Sequence, residues 1–167
     1  SEKAGEYFKR ALELDPDFAE AKAMLGFGQA WQVVTGVSTD PEADLKGSVL
    51  TIREALRLSP RNAFIYTQLA FPLLTLGAVK AAGDALRHAE ELGGPTPMLL
   101  VQLAMLKIME NDPEGAIEAS LKAIRLDPHG PNVESYYDNI AIAAFESEQY
   151  EMGLDAARRT IAVSPKF

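Results

Sequence analysis

Cysteine is absent from the chain, tryptophan occurs once, and histidine occurs only twice in 167 residues. Without cysteine there are no disulfides, no thiolate nucleophile and no cysteine-held metal, a composition that fits the cytoplasm. Long apolar runs are lacking too. None approaches the ~20 residues needed to cross a bilayer, and no basic start followed by an apolar core and a cleavage site marks a signal peptide. Positive charge is in short supply: 16 Lys and Arg stand against 24 Asp and Glu, a net charge of -8. An acidic chain with no basic stripe repels a phosphate backbone, so nucleic acid is not an expected partner.

The motifs of chemistry are equally scarce. There is no phosphate-binding loop, no dinucleotide fingerprint and no nucleophile elbow. Neither His88 nor His129 has a second histidine or carboxylate in a ligand spacing such as H-E-x-x-H, and both read as surface histidines. The acidic neighbours Glu90 and Glu91, Asp15 and Asp17, and Asp112 and Glu114 fit helix caps and solvated faces better than acid–base pairs. No catalytic residue, metal or cofactor is expected.

What the chain does have is self-similarity. Ala11-Leu12-Glu13-Leu14-Asp15-Pro16 returns as Ala55-Leu56-Arg57-Leu58-Ser59-Pro60 and as Ala123-Ile124-Arg125-Leu126-Asp127-Pro128. Thr160-Ile161-Ala162-Val163-Ser164-Pro165 is a weaker copy, and Ala89-Glu90-Glu91-Leu92-Gly93-Gly94 ends on glycine where the others end on proline. The steps Pro60→Gly94 and Gly94→Pro128 are both 34 residues, Pro128→Pro165 is three longer and Pro16→Pro60 ten longer. Each copy reads as the end of an amphipathic helix, because proline disfavours the helical conformation of the residue before it. Start signals agree: Asp40-Pro41, Thr96-Pro97 and Asp112-Pro113 each place a capping oxygen before a proline tolerated in the first turn. Together they predict helices over about 2–14, 17–34, 42–58, 62–76, 79–92, 97–110, 113–126, 131–147 and 149–163. Pro72 is expected to fall inside one of them and to remove a backbone hydrogen bond there.

A 34-residue period with Ala4 and Phe8 ahead of Ala11 resembles the tetratricopeptide (TPR) repeat. The large-then-small pairs Leu25-Gly26, Leu69-Ala70 and Leu103-Ala104 fit that repeat's first helix, and Tyr137-Asp138 fits it poorly. The resemblance implies an all-α fold, a right-handed solenoid of about nine helices in antiparallel pairs. Its expected division is a half repeat 1–16, an elongated repeat 17–60, and repeats 61–94, 95–128 and 129–165. Lacking a polar cap at either end, the array is expected to be a fragment of a longer protein. The elongated repeat, with Trp31 and the Asp40-Pro41-Glu42-Ala43 start, resembles TPR regions of bacterial multidomain regulators linked to adenylate or guanylate cyclases. So does the stretch Asp127-Pro128-His129-Gly130-Pro131.

In TPR proteins the first helices line a concave groove. Aligning this chain on its repeat-ending prolines puts Phe27, Trp31, Phe64, Thr67, Phe71, Met98, Val101, Met105, Met109, Ser135 and Asn139 on that side. The lysines with which some TPR proteins grip a terminal carboxylate are missing. A hydrophobic or amphipathic protein segment is therefore the expected ligand, with Phe27, Phe71 and Met105 accessible to solvent. The competing expectation is self-association into homo-oligomers through the solenoid ends.

Overall fold

The computed structural model describes residues 2–163, all nine of whose regular elements are α-helices. The boundaries read from the sequence hold to within two residues throughout. The helix endings at Asp15, Ser59 and Asp127 are confirmed, whereas Ser164 and Pro165 lie outside the described residues. The chain divides between Gly94 and Pro95 into two compact units.

The first unit holds α1 (Glu2–Leu14), α2 (Ala19–Val34), α3 (Pro41–Leu58), α4 (Ala63–Thr75) and α5 (Val79–Gly93). Within it α1 packs on α2, α2 on α3, both of these on α4, and α4 on α5. The second unit holds α6 (Pro97–Met109), α7 (Pro113–Leu126), α8 (Val133–Glu146) and α9 (Tyr150–Val163). There α6 packs on α7 and lies beside α8, while α7 and α9 both pack on α8.

The caps form as their sequences dictate. Side-chain oxygens of Asp40, Thr96 and Asp112 accept from the backbone N–H groups of Ala43, Leu99 and Gly115 at 3.2, 3.2 and 3.0 Å. Asn62 caps α4 in the same way through the Ile65 N–H at 3.3 Å. Each satisfies a donor that the helix itself leaves free. Pro72 is fully buried in α4, whose final turn continues past it to Thr75. At Gly94 the backbone takes φ +73°, which the proline of the other repeats cannot adopt, so this helix ends by a different device.

Close approach between paired helices explains the small residues. The Ser48 hydroxyl donates to the Gly26 carbonyl at 2.6 Å, drawing α3 against α2. A side chain on Gly26 would meet Ile52 Cγ1 at 2.6 Å and the Ser48 carbonyl at 2.9 Å. Ala70, Ala82, Ala104 and Ala116, the equivalents in the next two repeats, are likewise fully buried.

The last repeat corrects the alignment. A Cβ added to its small residue on the second helix, Gly153, would meet the Ala141 carbonyl at 3.4 Å and Ala144 Cβ at 3.6 Å. Twelve residues separate Ala70 from Ala82 and Ala104 from Ala116, and twelve back from Gly153 is Ala141, not Asp138. Asp138 is exposed accordingly. The three extra residues of this repeat therefore lie in the turn 127–132, where Gly130 and Pro131 delay the start of α8 to Val133. Turn geometry agrees. The left-handed residue between paired helices is Gly77, Asn111 and Glu148, in steps of 34 and then 37 residues.

Candidate partner-binding faces

The candidate residues fall into both units, and each unit carries its own set. In the first, α2 and α4 lie side by side, and three aromatic rings meet between them. Phe27 and Trp31, one turn apart on α2, stack with centroids 6.3 Å apart and planes 18° from parallel. Phe71 of α4 tilts against both, at 5.0 Å from Phe27 and 6.0 Å from Trp31. Such offset and tilted pairs are favourable beyond the area they bury.

Solvent reaches these rings unequally. Trp31 is 48 % exposed and Phe27 half-buried, whereas Phe71 is only 8 % exposed and joins Ala30 and Leu45 in the core. The expectation of an accessible Phe71 is thus corrected: it backs the face from below, because the α2–α4 contact closes over its ring. Thr67 is buried too, its hydroxyl donating to the Ala63 carbonyl of its own helix at 3.0 Å, while Phe64 stays exposed.

In the second unit, Met98 and Met105 are half-buried and Met109 is exposed, all on one side of α6. Val101 is buried, and so is Asn139, whose side-chain amide donates to the Val101 carbonyl at 3.2 Å. Asn139 is therefore not a groove residue. It ties α8 to α6, at the position where the two preceding repeats carry the buried amides Gln68 and Gln102. Ser135, one turn before Asn139 on α8, is half-buried.

In the corrected register the residue after each repeat's small residue is Phe27, Phe71, Met105 and Ile142. Aligning on the prolines missed Asp138, Ile142 and Phe145, all exposed on α8. The twelve-residue spacing of small residues would have found them. The Phe145 ring meets Tyr150, at the start of α9, edge-on at 5.8 Å.

Positive charge around these faces is sparse. Lys107 of α6 lies 3.1 Å from Asp112 and 3.3 Å from Glu110. Its hydrogen bond to Asp112 leads in raising its ammonium above the ordinary lysine value. The Asp112 carboxyl is lowered in turn, first by the Gly115 backbone N–H that it caps and then by Lys107. Among the described residues no group of three or more His, Asp or Glu is arranged to hold a metal ion. None of the described helices is long and apolar enough to cross a membrane. His88, half-buried, is held by its own helix, with Nδ1 2.9 Å from the Asp84 carbonyl and its ring 5.2 Å from that of Tyr66.

Residues 1–18 match the family model of the tetratricopeptide repeat. Over 99% of its length the chain superposes on part of a chain of the APC/C hetero-tetramer Cut9-Hcn1, with a TM-score of 0.83 at 20% identity. The fold is that of tetratricopeptide-repeat proteins. The likeness to a thermophilic TPR protein of Thermus thermophilus has a TM-score of 0.75 at 17% identity, covering 97% of this chain and 82% of that one. YrrB, a TPR protein described as having an unusual peptide-binding site, matches with a TM-score of 0.54 at 16% identity. That match covers 97% of this chain and 94% of YrrB. The chain spans only 31% of the Cut9-Hcn1 chain it matches, and no curated protein matches the sequence. At these identities the structural likeness establishes the fold. The helices are those expected from the repeat pattern, with the last repeat shifted by three residues.

Proposed function

We propose that the chain is a non-catalytic protein-interaction scaffold whose first-helix faces receive a hydrophobic or amphipathic segment of a partner protein. The observation that carries this is the stacked Phe27–Trp31 pair, held open to solvent on α2 over the buried Phe71. A large aromatic surface left uncovered on a packed scaffold is the usual anchor of an interface, because burying it on binding removes much apolar area from water. The peptide-binding site named for YrrB supports the same reading. The elongated repeat and its resemblance to cyclase-linked TPR regions support reading the module as part of a larger bacterial regulatory protein of the cytoplasm.

Trp31, the only tryptophan, provides the test. In a titration with a panel of amphipathic and extended apolar peptides, a bound segment shifts its emission to the blue. Phe27→Ala and Trp31→Ala then weaken binding, followed for the latter by calorimetry, with helical circular dichroism retained. Binding that leaves Trp31 emission and both variants unaffected removes the first unit's face from the proposal.

A second reading, self-association, rests on the terminal helices. Tyr7 and Leu14 on α1 and Leu154 and Ile161 on α9 are well exposed. Sedimentation across a wide concentration range decides it, and a strict monomer at the highest concentrations rules it out.

A further inference from the structure

The second unit carries a face whose charge differs from that of its apolar neighbours. Spacings of three and four put Asp138, Ile142, Phe145 and Glu146 on one side of α8, as they put Met105 and Met109 on one side of α6. The Asn139 amide on the Val101 carbonyl fixes these two helices side by side. Ile142 and Phe145 are 49 % and 69 % exposed. Glu146 stands where the preceding repeat has Met109, five residues beyond the small residue of its helix.

Lys107 is the sole cation on α6 and α8, and Glu110 and Asp112 already neutralise it. The acids Glu134, Asp138 and Glu146 on α8 have no ion-pair partner among the described residues. The unit's other described cations are Lys122, Arg125, Arg158 and Arg159, all on α7 and α9; Arg159 lies against α8, 5.7 Å from the Tyr137 ring, and it is already paired with Asp155 at 2.8 Å. Glu146 also sits at the C-terminus of α8, the negative end of the helix dipole, which adds to the attraction for a cation.

From these observations we infer that the α6–α8 face takes a cationic amphipathic segment of another protein. The ligand's apolar side chains rest on Met105, Ile142 and Phe145, and its lysines or arginines lie beside Asp138 and Glu146. Flexible methionine accommodates varied apolar shapes, and the acids select the sign of charge around them. This rests on the reading of the first-helix faces as protein-binding surfaces and adds the chemistry of the ligand.

The test titrates the full chain with three helix-forming peptides that share one leucine stripe and carry lysine, glutamine or glutamate on the flanks. The lysine peptide binds more than about tenfold tighter than the glutamate peptide, because several flanking charges act together. Adding salt to about 0.5 M closes most of that gap. Asp138→Asn and Glu146→Gln each weaken the lysine peptide about threefold, as expected for exposed ion pairs, and leave the glutamine peptide unchanged. Phe145→Ala weakens all three.

Equal binding of the three peptides overturns the charge selection and leaves the scaffold reading standing. Lysine-peptide binding indifferent to Asp138, Glu146 and Phe145 places the ligand elsewhere and overturns the inference too. If no peptide binds while Trp31 still reports a ligand, only the α6–α8 face fails; if Trp31 reports none either, both readings fail. A dimer abolished by Phe145→Ala makes a second copy of the chain the occupant and also overturns the inference.

Discussion

Gly26 and Gly28 lie two residues apart in α2, and alanine at each should move stability in opposite directions. In an exposed helix interior, Gly→Ala stabilises by roughly 0.8–1 kcal/mol, because glycine loses more backbone freedom on folding. At Gly28 nothing lies within 4 Å of the added Cβ, so that gain is realised nearly whole. At Gly26 the same carbon falls 2.6 Å from Ile52 Cγ1 and 2.9 Å from the Ser48 carbonyl. Ile52 is fully buried and the carbonyl is backbone, so neither can step aside without moving α3. Overpacking of this kind costs about 1–3 kcal/mol, and displacing α3 also stretches the Ser48 hydrogen bond to Gly26. The net expectation is a loss of about 2 kcal/mol for Gly26→Ala against a gain of about 1 for Gly28→Ala. Urea unfolding of the full chain, followed by Trp31 emission, reads the unit that contains α2. With a urea slope of about 1–3 kcal/mol per molar, the two midpoints separate by about 1 M or more. Stabilisation by both alanines would show that α2 and α3 can part freely, and would refute the close-approach argument.

Four further outcomes follow from the same packing. Phe71→Ala removes a buried ring and costs about 3–5 kcal/mol by the same urea assay, whereas Phe64→Ala on the exposed side of α4 stays within about 0.5 kcal/mol. Asn139→Ala loses its bond to the Val101 carbonyl and costs about 1 kcal/mol in thermal unfolding, while Asp138→Ala next to it costs little. Glu148→Gly relieves a left-handed backbone and stabilises by about 1 kcal/mol, seen as a raised melting temperature. The Asp112 carboxyl is lowered in the folded state, so its contribution is present above the ordinary carboxylate pKa and is lost as pH falls through the lowered one. Asp112→Asn, which keeps the cap but cannot titrate, should therefore show a shallower fall of melting temperature on acidification than the parent chain.

The helices themselves were legible in the sequence, since their signals are local. A proline stops a helix, and an Asp or Thr before a proline starts one, whatever surrounds them. The 34-residue step sufficed to recognise the repeat, and the small residues Gly26, Ala70 and Ala104 marked where paired helices touch. The register of the last repeat was not legible from its prolines. Three extra residues can be placed anywhere between two anchors until a contact such as Gly153 against Ala141 decides. Burial was the other thing only tertiary structure could settle. Phe27 and Phe71 occupy equivalent positions after a small residue, yet packing of α2 against α4 leaves one ring half open and closes over the other. Asn139 looked like a polar groove residue and is a buried tie to Val101, because a hydrogen bond between helices far apart in sequence leaves no periodic trace in either.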